Sequence, residues 1–157
     1  MKDDIDSLCR ELQETWHREI PVSKSMDIHV SGFSRDRLEI RAALAPNVNV
    51  HGTAFAGSLY AIAALCGWGS TWLALKRRGI DGSIVIADAR IRYARPVDGV
   101  LIAACMFDPE VQAQALQRLV DSGRTRFDLT CHIGEGEAPA ATFEGRYAVR
   151  VSASASG

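Results

Sequence analysis

From Ala42 to Leu75 the chain carries no Asp, Glu, Lys or Arg, and this uncharged stretch contains the run Asn47-Val-Asn-Val-His-Gly-Thr-Ala-Phe-Ala-Gly-Ser58 at the entry to a long apolar segment. A helix that begins here leaves its first N–H groups without intrahelical partners, and glycine lets a ligand oxygen approach them closely. Such a junction favours a polarised carbonyl. Gly57 can offer its N–H to that oxygen, where a preorganised donor counts most as charge develops, or it can serve helix–sheet packing. Ser58 can donate to the same oxygen or to a water, or cap its own turn. Asn49 carries donors and an acceptor suited to an attacking water, but its neutral amide is no strong base, and a loop cap is the other reading. His51 is the candidate base of this run, as the side-chain type suited to proton transfer near neutral pH, or else a hydrogen-bonding bystander. Asp88 is an acid that could reach the site across a subunit interface, although Arg90 and Arg92 on its own face suit a salt-bridged role.

The elements that must position these residues follow from periodicity. Residues 4–19 place Ile5, Leu8, Cys9, Leu12 and Trp16 at helical spacing, and Pro21 is expected to stop that helix. From Met26 the period becomes two, giving two half-buried strands through Ile28 and Val30, then Leu38, Ile40, Ala42 and Leu44, with a hairpin turn at residues 32–36. A helix from about Phe55 to Arg77 comes next. Its Gly67 and Gly69 each cost roughly 1 kcal/mol relative to Ala, so they mark a bend or a close backbone contact.

After Gly79 a long strand at residues 83–97 is expected to place Val85, Ala87, Ala89, Ile91 and Tyr93 on one face and Asp88, Arg90 and Arg92 on the other. Residues 100–107 are apolar on both faces, as in a central strand. Asp108-Pro109-Glu110 starts a short helix that Gly123 ends. Two alternating strands follow, one through Thr125, Phe127, Leu129, Cys131 and Ile133, the other through Ala141, Phe143, Tyr147, Val149 and Val151. Residues 1–151 read as a single domain and residues 152–157 as a disordered tail. The class is therefore α+β: one antiparallel sheet of five to six strands curled around the only element that is apolar all round, with the arginine-rich face turned to solvent or a second subunit.

Composition removes other classes. With 157 residues, 47% hydrophobic and 24% charged, the chain can bury a core, and a net charge of −1 gives no basis for nucleic-acid binding. The 23 residues from Thr53 to Leu75 are long enough to span a bilayer, but seven are Gly, Ser or Thr and everything downstream reads as soluble strands, so a buried helix is expected and no membrane span. Four dispersed cysteines without a Cys-x-x-Cys pair, and His17, His29 and His132 without ligand spacing, predict neither metal nor cofactor. Cys66, mid-helix among apolar residues, is expected to be an inert core thiol, and Trp68 and Trp72 to be core. The acidic N-terminus lacks the basic and then apolar pattern of a secretory signal, and a cytoplasmic protein is expected.

The chain resembles the hotdog-fold acyl-thioester enzymes, and within them the YiiD-type thioesterase-like domain. The resemblance rests on Ile20-Pro-Val-Ser-Lys-Ser-Met26, Leu44-Ala-Pro-Asn-Val-Asn49, Gly52-Thr-Ala-Phe-Ala-Gly-Ser-Leu-Tyr60, Ala64-Leu-Cys-Gly-Trp-Gly69 and the run from Asp81 through Arg92-Tyr-Ala-Arg-Pro-Val97. It covers roughly residues 20–150. It implies hydrolysis of an acyl-CoA or acyl-carrier-protein thioester by water, without cofactor, in a homodimer or dimer of dimers with the acyl tunnel between subunits. The commoner hotdog pattern, Asn-x-x-Gly-x-x-His-Gly-Gly followed six residues later by an acid, matches at Asn49, Gly52 and Gly57. Phe55 stands at the histidine, Ala56 at the first of the paired glycines, and Ala63 at the catalytic acid. Phe55 and Ala56 are then expected to touch substrate, and Arg92, Arg95, Arg124 and Arg126 to attract the phosphates of coenzyme A or a phosphopantetheine arm, or simply to be exposed sheet charges. The missing acid leaves a non-catalytic acyl-thioester binding module as the alternative.

Overall fold

In the computed structural model, which describes residues 1–152, helix α1 (Lys2–Glu19) stops just before Pro21, but that proline at once opens a second short helix, α2 (Pro21–Ser25). Proline lacks an N–H that the first helical turn would leave unpaired anyway, so it can end one helix and begin the next. Strand β1 (Ile28–Ser34) and strand β2 (Arg37–Ala42) form the expected hairpin, with a narrower turn than expected. Only Arg35 and Asp36 lie between them, at φ 50° and 58°. Two successive left-handed residues match the right-handed twist of the strands. Gly32 sits inside β1 beside a register shift, and β2 stops at Ala42, so Leu44 lies outside it.

Helix α3 (Ala56–Lys76) is the central element. The remaining elements are β3 (Gly82–Tyr93), β4 (Leu101–Met106), α4 (Pro109–Ser122), β5 (Arg124–Ile133) and β6 (Ala141–Val151). The six strands pair antiparallel in the order β1-β2-β4-β5-β6-β3, and the sheet wraps α3, whose Leu59, Ile62, Ala63, Cys66 and Leu73 are buried. This is the hotdog fold. Among the described residues, the one helix long and apolar enough to cross a membrane is thus the helix the sheet encloses.

Both helix glycines are close contacts. A methyl at Gly67 would run into the buried hydroxyl of Tyr147, which donates to the Ala64 carbonyl at 2.8 Å. A methyl at Gly69 would stand 2.7 Å from the Trp16 ring, the point where α1 docks on α3. Helix α4 closes the layer over β5 with Ala115, Leu116 and Leu119; Asp108 caps it by accepting from Glu110 N–H and Val111 N–H, and Gly123 ends it at φ 74°.

The expected face assignment of β3 needs correction. A bulge between Ile86 and Asp88 shifts the alternation by one residue, so Ile84, Ala89 and Ile91 pack on the core while Val85 is 59% exposed. The strand also ends at Tyr93 rather than Val97. Of the expected tail, Ser152 donates its N–H to the Asp81 carbonyl at 3.1 Å, and residues 153–157 lie outside the described residues.

Candidate active site

The loop before α3 is built on two asparagines. Asn47, 2% exposed, donates from Nδ2 to the Met26 carbonyl at 2.8 Å and the Ala43 carbonyl at 2.7 Å. Its own carbonyl accepts from Phe55 N–H at 2.7 Å, so one residue joins the end of α2, the end of β2 and the entry to α3. Asn49 does the same for the turn beyond it. Its Oδ1 accepts from His51 N–H at 2.8 Å and Thr53 N–H at 3.1 Å, while Nδ2 donates to Thr53 Oγ1 at 2.9 Å and the Ala54 carbonyl at 3.3 Å. Gly52 supplies the left-handed corner at φ 80°. The side chain of Asn49 is committed to the loop, while His51 is exposed on the same turn.

Phe55, extended at φ −63° and ψ 133°, is the N-cap of α3 and provides no side-chain hydrogen bond to the helix. The first intrahelical bond is Leu59 N–H to the Phe55 carbonyl at 3.1 Å. The N–H groups of Ala56, Gly57 and Ser58 are left without partners among the described residues, and the first turn contains no acid. These three donors sit at the positive end of a 21-residue helix, equivalent to roughly half an elementary charge. Ala56 and Gly57 are exposed, whereas Ser58 is 8% exposed. The Phe55 ring lies over Gly57 so closely that a methyl there would strike it.

Tyr93, at the end of β3, donates from Oη to the Ala56 carbonyl at 2.8 Å, and Tyr60 meets Phe143 edge-on at 5.2 Å. Desolvation pushes the Tyr93 hydroxyl above its ordinary pKa, with Tyr60 adding to the effect, which keeps Tyr93 a donor. Around this helix start Val48, Val50, Phe55, Tyr60 and Tyr93 are all exposed. An apolar set of this kind beside free polar donors fits a ligand or a second subunit. Spacing gives Tyr93 only a face of β3 and Asn47 only the opening of the loop, with no part in the site for either. Their partners, the Ala56 and Met26 carbonyls, lie 37 and 21 residues away and carry no local signal.

The other candidates are dispersed. Asp88 lies on the outer face of the sheet opposite Arg146 in register, turned from the start of α3 within this chain. Arg90 pairs with Glu144 on that face, where Arg92 is also exposed. Arg95 clamps the loop between β5 and β6, donating to the Ala138 carbonyl at 2.6 Å and the Glu135 carbonyl at 3.2 Å. Ala63 is fully buried. Burial pushes the Cys66 thiol up, and no group of three or more His, Cys, Asp or Glu among the described residues could hold a metal.

Among solved structures, a protein from Shewanella oneidensis described as a "putative thioesterase" is 39% identical, covers 94% of this chain and 99% of its own, and superposes with a TM-score of 0.84. A Chlorobaculum tepidum protein of unknown function is 28% identical over 93% and 96% of the two chains, with a TM-score of 0.89. A Pseudomonas aeruginosa protein, 17% identical over 91% and 95% with a TM-score of 0.78, shares the fold. The family model described as "Putative thioesterase (yiiD_Cterm)" matches residues 9–151, and with its hotdog fold and uncapped central helix the chain belongs to that thioesterase family.

Proposed function

We propose that the protein hydrolyses an acyl thioester of coenzyme A or acyl-carrier protein by direct attack of water. The observation that carries this reading is the row of unpartnered Ala56, Gly57 and Ser58 N–H groups at the start of α3. The substrate carbonyl oxygen lies against Gly57, and the donors stabilise the oxyanion as charge develops there. The Ser58 hydroxyl adds a donor beside it. Phe55 and Ala56 line the approach, with the Phe55 ring swinging aside to admit the thioester. His51 is the base offered to the attacking water from this chain, and Asp88 is an acid that a second copy would bring. Asn49 fixes the loop that presents His51 and Gly57 rather than holding the water itself, because its amide is already engaged. Arg92 is available to substrate phosphates, whereas Arg95 would first have to leave its loop carbonyls.

The assembly proposed is a homodimer joined through the edge of β3, alone or as a dimer of dimers. This strand is 12 residues long, lies at the end of the sheet and exposes Val85 and Ile86, an arrangement that favours pairing with a second copy. The buried, unbridged thiols of Cys66, Cys105 and Cys131 suit a reducing cytoplasm. The reaction needs water alone as co-reactant.

Thiol release from short, medium and long acyl-CoA and acyl-carrier-protein substrates tests the reading. Turnover on at least one substrate is expected. Buried Ala63, standing where related enzymes carry an acid, favours a second reading, an acyl-thioester binding module. Saturable acyl-CoA binding without thiol release would establish that reading in place of hydrolysis.

A further inference from the structure

Five arginines line a groove of about 800 Å³ between the end of α4 and the outer face of β5 and β6, one of them, Arg146, paired with an acid and four not. Arg124 and Arg150 are direct cross-strand partners, and Arg118 and Arg126 complete the set. Like charges directly opposite on one face, about 5 Å apart at Cβ, repel and destabilise a sheet. None of the four forms an ion pair among the described residues, although the groove also holds two acids. Asp128 is taken by Arg146 at 2.7 Å, and Asp121 accepts from Gln117 at 2.9 Å. The site is also braced: the Ser122 hydroxyl reaches the Arg118 carbonyl at 2.8 Å and the Arg124 carbonyl at 3.0 Å, fixing α4 against the start of β5. Unpaired guanidinium groups held in a concave space of ligand size call for a compact polyanion.

We infer that this groove binds the phosphate groups of coenzyme A, so that the substrate is carried on the free nucleotide thiol rather than on a carrier protein. The inference rests on the hydrolase reading and on the β3-edged dimer. Within one chain the groove is out of reach of the helix start. Tyr93 pairs with Ala141 and Ser83 with Arg150, so the arginines lie at the opposite end of β6, roughly 30 Å away at the rise of a strand. Antiparallel pairing of two β3 edges about a two-fold axis reverses this relation. Arg150 and Arg124 of the second copy then stand two and three strand spacings, roughly 10 and 15 Å, from the Tyr93 end of the first. A pantetheine arm would cross the end of the sheet between them, and each site would draw on both copies.

The test compares wild type with R124Q/R150Q and with R118Q, using calorimetry with adenosine 3′,5′-bisphosphate and kinetics with matched acyl-CoA and acyl-pantetheine. The bisphosphate is expected to bind wild type and to bind both variants about tenfold or more weakly, and the acyl-CoA to acyl-pantetheine ratio of kcat/KM is expected to fall about as much. Removing the opposed charges is expected to leave Tm unchanged or raised, which separates lost binding from lost folding. Absence of bisphosphate binding to wild type, binding that the substitutions leave unchanged, or a defect confined to acyl-carrier-protein substrate would overturn the inference. Arginine-dependent bisphosphate binding without any thiol release would retain the groove and refute the hydrolase. Thiol release from acyl-CoA with arginine-independent KM would do the reverse.

Discussion

The Tyr93 hydroxyl donates a 2.8 Å hydrogen bond to the Ala56 carbonyl, fastening the end of edge strand β3 to the first residue of core helix α3. The strand offered for dimer pairing and the donors offered to the substrate are thereby held in fixed relation. Tyr93→Phe removes the tie without removing the ring. Stability is expected to fall by about 1 kcal/mol, as for one ordinary hydrogen bond, and kcat to fall severalfold with little change in KM. Thermal unfolding beside steady-state kinetics checks both.

Gly67 leaves the space that the Tyr147 hydroxyl fills, so Gly67→Ala forces a buried methyl onto a buried oxygen. The expected cost is about 1–3 kcal/mol, as for overpacking in a closed core. Tyr147→Phe in the same chain removes the obstructing oxygen and is expected to recover part of that loss in denaturant titrations. Equal stability of the single and double variants would show that the contact is not the cause.

Asn49→Ala deletes two acceptor and two donor bonds that close the loop before α3. Asn49→Asp keeps the acceptor half toward His51 N–H and Thr53 N–H. The alanine variant is expected to lose about 1–3 kcal/mol and at least about tenfold in turnover, and the aspartate variant to lose less of each. If Asn49 held the water directly, stability would stay near wild type in both.

Glu39 gives a pH test. Hydrogen bonding from Arg37, reinforced by Arg41, holds its carboxyl below the ordinary glutamate pKa. A lowered folded pKa means stability that is present above the unfolded pKa and lost as pH falls through the folded one. The Tm difference between wild type and Glu39→Gln is therefore expected to be constant at neutral pH and to close in acid. A difference that persists at low pH would assign the effect to packing.

Much of the architecture was legible because local chemistry and tertiary demand agree. Asp108, Pro109 and Gly123 bound α4 where their cap and turn preferences require, and β5 alternates strictly between buried and exposed residues. The β3 bulge was not legible, since Val85 and Ile86 are both apolar and nothing local marks the change of phase. The hairpin turn is narrower than its sequence suggests because Arg35 and Asp36, rather than glycines, take the left-handed conformation. At the site, the charge-free entry to α3 pointed to the free N–H groups. The supports contributed by Asn47 and Tyr93 depend on partners far along the chain, which spacing alone does not reveal.

The most direct measurement is a crystal structure of the protein with a non-hydrolysable thioether analogue of a coenzyme A ester that it turns over. The ketone or amide oxygen replacing the thioester carbonyl is expected within hydrogen-bonding distance of Gly57 N–H, at an interface between two copies. An analogue bound with that oxygen remote from residues 56–58, or a helix start closed off from every cavity, would contradict the mechanism proposed here.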